Sequence, residues 1–385
     1  MTARTSHRLE VRSISASDHL DYVRGCAGAS YLQCPSWGQM PPRWHPESVG
    51  WFEGRRLRGV GLVLYRRVPI VGSLAYLGEG PVVDWADLGA EDITAPLLDF
   101  LRTRAVFSVT LAPALVLRRW RNEALRAALR VGQAQRLRDL TPDVVDETAT
   151  EVAIALRGQG WRQYEATGPG FGGKMNPRYR SHVPLTPLHD PSTDHWAGLR
   201  ARLDTSWRRN LRRSTASGVT VEMGGALDLP VFHRLYVETA TRDKFAPLPL
   251  AFFERLWREL RAEDPKRIEL YLASYGGQVH AAAIRTRVGD EFSYTHGASS
   301  NAGRRGRPSN ALQWRMLTDA AAAGASVYDL RGISDTLDPD DRLFGLLRFK
   351  LGLGADAVEM VGEWDYPLRR VRHHAVAAYL DRRQR

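Results

Sequence analysis

Lysine is nearly missing from this chain: Lys174, Lys244, Lys266 and Lys350 stand against fifty arginines. Most basic positions have drifted to arginine, so each surviving lysine is informative. Lys350, in GLLRFKLGLGAD (345–356), raises the question of what an ammonium does there that a guanidinium could not. Cysteine is scarcer still. Cys26 and Cys34 cannot build a disulfide framework, and no CxxC spacing exists for zinc. The eleven histidines show no metal-ligand spacing, so no metal is expected. No stretch approaches 18 consecutive apolar residues, which excludes a membrane-spanning helix, and the opening MTARTSHRLEVRS lacks the apolar core of a secretory signal. A cytoplasmic protein is expected. Acidic charge is also short: 43 Asp and Glu against 54 Lys and Arg leave a net charge of +11. An excess of that size points to a polyanionic partner such as nucleic acid, a phosphorylated substrate or an anionic membrane surface, or else to arginines scattered over the surface with no single partner.

What is there reads as two similar halves. With 385 residues the chain has room for two domains with their own cores. Residues 50–115 run as GWFEGRRLRGVGLVLYRRV, LAYLGEGPVVDW, APLLDFLRTR and FSVTLAPAL. That is the pattern of a strand, a tight polar turn, two more strands, a helix and a strand. Residues 268–332 repeat the order: a hairpin IELYLASYGGQVHAAAIRTRV turning at Gly276-Gly277, a strand EFSYTHGASS, a helix SNALQWRMLTDAAAAGA and a strand SVYDLRG. The match predicts duplication of one unit. The expected class is α/β (α+β), two tandem GCN5-related (GNAT-like) acyltransferase domains with mixed, mainly antiparallel sheets flanked by helices. The first domain is expected over 1–160, completed by a C-terminal amphipathic helix at 365–385, and the second over 161–364.

That fold normally grips coenzyme A with a Q/R-x-x-G-x-G/A loop opening its central helix, where free amides suit a pyrophosphate. The corresponding stretch here, NAGRRGRPSNALQWRML, has Gly303 and Gly306 but places Pro308, which lacks an amide donor, where the last small residue is wanted. The equivalent GEGPVVDW of the first half is no better. Before the second half lies a strongly basic helical stretch, WAGLRARLDTSWRRNLRRSTASGVTVEMG, with Arg200, Arg208, Arg209, Arg212 and Arg213 and with Gly218 as its stop. Six arginines in fourteen residues, against the single acid Asp204, could neutralise several phosphates or form a solvated face.

These stretches together resemble the FemABX family of aminoacyl-tRNA-dependent peptidyltransferases, most closely its FemX-like branch. The resemblance is carried by LQCPSWGQ (32–39), SWRRNLRRSTASGV (206–219), LYVETATRDKF (235–245), RPSNALQWRMLTDAAAAGASVYDLRGISD (307–335) and LFGLLRFKLGLGADAVEMVGEWDYPL (343–368). It implies an enzyme that uses an amino acid esterified to tRNA in place of acetyl-coenzyme A, with no other cofactor. The product is an amide or peptide bond to an amine. The expected partners are aminoacyl-tRNA and an amine-bearing acceptor, with no DNA.

Residue by residue, the resemblance implies that Lys350 of the Phe349-Lys350 pair stabilises the oxyanion of the tetrahedral intermediate. Arg208, Arg209, Arg212 and Arg213 are expected to meet the tRNA acceptor stem. Arg242, in TATRDKF, matches an arginine that contacts acceptor phosphates; alternatively it pairs with Asp243 or Glu238. Tyr294 falls in a Tyr-x-Tyr-Gly wall of the acceptor channel whose second tyrosine is His296 here, read either as a base or as a wall residue. Asp329 and Asp335 end the last strand of the second half, where substrates usually meet this fold, though loop carboxylates more often cap turns. In the Gln33-to-Trp37 motif, the lysine expected four residues after Trp37 is replaced by Pro41, with Arg43 as a substitute anchor. That departure leans the acceptor from a peptidoglycan precursor toward a small natural-product amine. A coenzyme A-dependent N-acyltransferase and a non-catalytic tRNA-binding protein are the alternatives.

Overall fold

Alternating apolar positions and tight turns build the same sheet twice. A computed structural model of the protein describes residues 9–40, 43–132, 134–165, 175–185, 195–373 and 375–376. The chain divides into two units. One draws on residues up to Arg119, on Pro142–Tyr179 and on the stretch from Glu359; the other on Trp120–Thr141 and Arg180–Val358.

In the first unit, β1 (Leu9–Ser13), β2 (His45–Glu53), β3 (Arg56–Val68) and β4 (Gly72–Leu77) form an antiparallel run. Helix α1 (Ala90–Arg102) then crosses to β5 (Val106–Leu111), which is parallel to β4 with Leu77 opposite Leu111. A sixth strand, Trp364–Tyr366, lies antiparallel to β5. The core under this sheet is rich in indole: Trp51, Trp161 and Trp364 are fully buried beside Leu97, Leu101 and Val109.

The second unit contains β6 (Tyr179–Pro184), the basic pair α2 (His195–Arg202) and α3 (Thr205–Ala216), β7 (Thr220–Gly224), α4 (Leu229–Asp243) and α5 (Leu250–Glu263). It continues with β8 (Ile268–Tyr275), β9 (Gln278–Val288), β10 (Glu291–Ser299), α6 (Pro308–Ala322), β11 (Val327–Gly332) and α7 (Phe344–Gly352). Strand order is β7-β8-β9-β10-β11-β6, with β10 and β11 parallel across α6 and the other pairs antiparallel. The β8–β9 turn at Gly276 and Gly277 has φ of 58° and 76°, the left-handed backbone that a two-residue hairpin turn requires. The duplication read from the sequence is therefore present strand for strand.

The expected domain boundaries shift. Residues 120–141 go to the second unit because Asn122 is anchored there. Its side-chain amide donates to the carbonyls of Leu351 and Ala355, both at 2.8 Å, and its backbone N–H to Asp356 at 3.0 Å. Residues 161–179 go to the first unit, where Trp161 is buried in the core. The segment expected to form a helix from 365 begins as the strand Trp364–Tyr366, because Trp364 is needed in that core; residues 377–385 lie outside the described residues.

Helix α3 is held at both ends. The Asp204 carboxylate accepts the Trp207 N–H at 2.6 Å, a cap worth about 1 kcal/mol, and Gly218 (φ 71°) ends it. Its Trp207 is buried and donates its indole N–H to the Phe349 carbonyl of α7 at 2.8 Å, the two rings 4.9 Å apart. The indole lies flat against Gly352, where a Cβ would stand 2.3 Å from Trp207 Cδ1. Gly352→Ala should therefore cost about 1–3 kcal/mol by overpacking. Gly345→Ala, in the same helix with nothing within 4 Å of the added methyl, should be neutral or stabilising by about 0.5–1 kcal/mol. Urea midpoints of the two variants check this; equal shifts would show that the Trp207 contact does not set the packing.

Candidate active site

Strands β10 and β11 pair only at Glu291–Val327, Phe292–Tyr328 and Ser293–Asp329. Beyond these positions both strands continue without pairing to each other, so the sheet of the second unit is split where Tyr294 and His296 leave on one side and Leu330, Arg331 and Gly332 on the other. Buried backbone groups at such a split must find other partners.

Lys350 supplies them. Its ammonium donates to the carbonyls of Leu330 (2.7 Å), Arg331 (3.3 Å) and Gly332 (2.6 Å). Successive carbonyls of a regular strand point to opposite sides, so a run of this kind needs a break in the alternation. Arg331 provides it with φ of 63°, an unusual left-handed conformation for a residue other than glycine. Three carbonyls converging on one point suit three hydrogens on a compact ammonium and do not suit the flat fork of arginine. This geometry is one answer to why the lysine is there.

The charge is balanced by Asp329, 1% exposed. Its carboxylate accepts from the Arg331 N–H (2.6 Å) and side chain (3.3 Å) and lies 3.4 Å from Arg180 and 3.6 Å from His182. Burial pushes the Lys350 ammonium down to about 7; Asp329 pulls it back up and Arg331 adds to the push.

The other face of the split is aromatic. The His296 ring lies 5.2 Å from Phe253 and 6.2 Å from both Phe252 and Tyr236, and its Nδ1 is buried with no hydrogen-bond partner among the described residues. Burial, with Arg331 nearby, lowers its pKa to about 4, so the imidazole is neutral at pH 7. Tyr294 has its hydroxyl raised to about 12 by burial and bonded to Gln313, and it lies directly over Gly297, where no side chain would fit. Arg242 donates to the Ser299 carbonyl at 2.8 Å and forms an ion pair with Asp243 at 2.9 Å, which ties α4 to the end of β10. Asp335 pairs instead with Arg136 at 3.1 Å.

The structure thus brings Lys350, Asp329, Tyr294 and His296 to one split in one sheet, with Arg242 at the end of β10. Phe349 faces the other way, onto Trp207. Arg208, Arg209, Arg212 and Arg213 are exposed on α3 and make no ion pair among the described residues. Trp37 and Arg43 belong to the first unit, Arg43 exposed with φ of 66° and Trp37 in edge contact with Tyr31 at 5.3 Å. Pro41 lies outside the described residues. Sequence reasoning missed Arg331, Arg180 and His182, because a left-handed arginine and a buried ion cluster leave no trace in spacing.

The two glycines before α6 have a packing task. A Cβ at Gly303 would lie 2.3 Å from His280, and one at Gly306 2.8 Å from Tyr275. Helix α6 itself starts on Pro308 with no side-chain cap. Pro308 removes one of the amides that would cradle a pyrophosphate at this turn, in accord with the broken loop in the sequence.

Comparison with known proteins adds to this geometry. The acetyltransferase (GNAT) domain family matches residues 200–342. The lipid II:glycine glycyltransferase of Staphylococcus epidermidis is 21% identical over 432 aligned residues, covering 96% of this chain and 95% of its own. The crystal structure of FemX superposes with a TM-score of 0.75 at 20% identity, over 95% of this chain and 99% of that one. A tandem GNAT protein from the clavulanic acid biosynthesis pathway superposes with a TM-score of 0.50 at 11% identity, over 94% and 98%. Among the described residues no helix is long and apolar enough to cross a membrane, and no group of His, Cys, Asp and Glu is placed to hold a metal.

The Lys350 cradle makes a testable statement about pH. An unfolded lysine titrates near 10.5, so between about pH 7 and that value the unfolded chain holds the extra proton and stability should rise with pH. Lys350→Met should remove that component of the rise, read as the difference between the wild-type and variant unfolding free energies at about pH 7 and about pH 9. The same pH dependence in both proteins would mean that the carbonyls keep the ammonium fully charged.

Proposed function

We propose that the chain, whose motifs resemble the FemABX family, transfers an amino acid from tRNA to an amine of a peptidoglycan precursor, forming an amide bond. The observation that carries this reading is the cluster of Lys350, Asp329, Tyr294 and His296 at the split between β10 and β11, in an acyltransferase fold whose coenzyme A turn starts on a proline. The donor supports the same assignment: four exposed arginines on α3 suit an RNA backbone. Dependence on charged tRNA in turn places the reaction in the cytoplasm, with no further cofactor.

The chemistry is aminolysis of an activated ester. The amine lone pair attacks the aminoacyl carbonyl, a tetrahedral intermediate forms, and its collapse expels the ribose oxygen, which takes up the proton lost by the amine. The protein has to hold the two reactants in register and neutralise the oxyanion. Of the three Lys350 bonds, that to the Arg331 carbonyl is the longest, and an oxyanion is a far better acceptor than an amide carbonyl. The oxyanion displaces that carbonyl, while the other two bonds keep the ammonium aimed. Tyr294 and His296 line the acceptor channel, the unpartnered Nδ1 of His296 offering the acceptor a hydrogen-bond site. Arg242, Arg43 and Trp37 contact the acceptor.

The reading is tested with tRNA charged with radiolabelled amino acids and offered to a lipid-linked or nucleotide-linked muropeptide, or to a panel of small amines. Label should move to the muropeptide, and Lys350→Ala should slow transfer by about 100- to 1000-fold. Transfer only to small amines would replace the acceptor by a natural-product intermediate. Binding of charged and uncharged tRNA alike, with no transfer to any amine, would overturn the reading in favour of a non-catalytic RNA-binding protein.

A further inference from the structure

Away from the β10–β11 split, the second unit carries a cavity of about 670 Å³ between α2, α3 and α6. Its floor is apolar, formed by Leu203, Leu211 and the indole of Trp314, and Arg200, Arg208 and Arg212 line it as well. The sequence explains why both kinds of residue meet there. On α3, positions 208, 211, 212 and 215 recur at helical spacing and share one face. Trp207 and Ser214 are the residues that face inward. Trp314 lies on the side of α6 that meets α3, in contact with the hydrophobic core yet partly exposed. A partly exposed indole beside a leucine floor is a poor surface to leave against water, and Arg208 and Arg212, without acidic partners among the described residues, are a poor surface to leave without an anion.

We propose that this cavity seats unpaired nucleotides of the donor RNA, one base stacked on Trp314 and the adjoining phosphates held by Arg208 and Arg212. The two arginines are four residues apart on a helix, a rise of about 6 Å, the order of the spacing of successive phosphates in an extended strand. An aromatic platform beside a basic track is the arrangement that binds single-stranded nucleic acid without reading its sequence. A duplex end offers no free base face to the indole, so the site selects the single-stranded part of an RNA over its stem. An anionic lipid would share the arginines, but its acyl chains gain nothing from stacking on a flat ring, whereas a base does. The inference rests on the proposed RNA-borne donor and assigns Trp314, which the family resemblance did not single out, as a binding residue.

The test measures binding of the full chain to a fluorescently labelled single-stranded RNA hexamer ending in CCA, to a blunt RNA duplex of equal length, and to vesicles containing phosphatidylglycerol. Trp314→Leu keeps an apolar filler on the same helix but removes the ring. It should weaken hexamer binding about 10-fold, in line with the loss of one stacked base, and leave duplex binding unchanged. The double variant Arg208→Gln, Arg212→Gln should lower the slope of log K against log salt by about 1.4, the loss of two phosphate contacts on a single strand. Because both arginines are exposed on a capped helix, that variant also answers the question should Trp314→Leu unfold. Hexamer affinity untouched by all three substitutions would overturn the proposal, and a Trp314-dependent affinity for the vesicles alone would give the cavity to a lipid. The outcomes separate from those of the transfer assay. Trp314-dependent hexamer binding without any transfer removes the enzymatic reading only. Transfer with an unchanged KM for charged tRNA in Trp314→Leu removes the cavity assignment only.

Discussion

One ammonium and three carbonyls organise the second unit. The acyltransferase fold requires its two parallel strands to part, and parting strands leave backbone acceptors facing one another across a gap. Lys350 gathers the carbonyls of residues 330–332 from one lip of that gap. The left-handed turn at Arg331 lets them converge, and the Asp329 carboxylate, which accepts the Arg331 N–H, holds the turn and supplies the compensating charge. A lysine buried without these partners would be costly; with them, the same side chain stabilises the split and leaves a cation at its base.

The consequences run outward along α7. Phe349, the residue before the lysine, packs on Trp207, and Gly352, two residues after it, gives the indole room. Asp204 begins the basic helix by capping the amide of the same tryptophan. The angle of the arginine-rich helix is therefore set by contacts with the helix that carries the lysine. A short run of residues, Phe349 to Gly352, links the chemistry at the split to the surface where phosphates are expected.

The turn that opens α6 shows how a binding device is lost while its residues remain. Gly303 and Gly306 persist, but each is a close-approach glycine against His280 or Tyr275, and Pro308 removes an amide from the first turn. A helix N-terminus attracts phosphate through free amides, and this one has fewer to offer. The basic charge of the protein is placed elsewhere, on α3, where it faces solvent on arginines and can meet a polymer.

Much of this was legible in the residues alone. Repetition of strand, turn, strand, strand, helix, strand established two copies of one sheet, since period-2 alternation and glycine turns are local signals. The scarcity of lysine pointed to Lys350, and the proline after two glycines argued against a conventional coenzyme A loop. Spacing could not show that Lys350 faces three carbonyls, that Arg331 is left-handed, that Asp329 collects Arg180 and His182, or that Trp314 closes a cavity beside Arg208 and Arg212. Nor could it show that residues 120–141 leave the first unit, because Asn122 finds its acceptors more than 200 positions away. Local sequence determines which elements form and which faces are apolar, since those depend on neighbours in the chain. Which carbonyls meet an ammonium, and which ring meets an arginine, depends on contacts between distant segments, and those exist only once the sheet has been assembled.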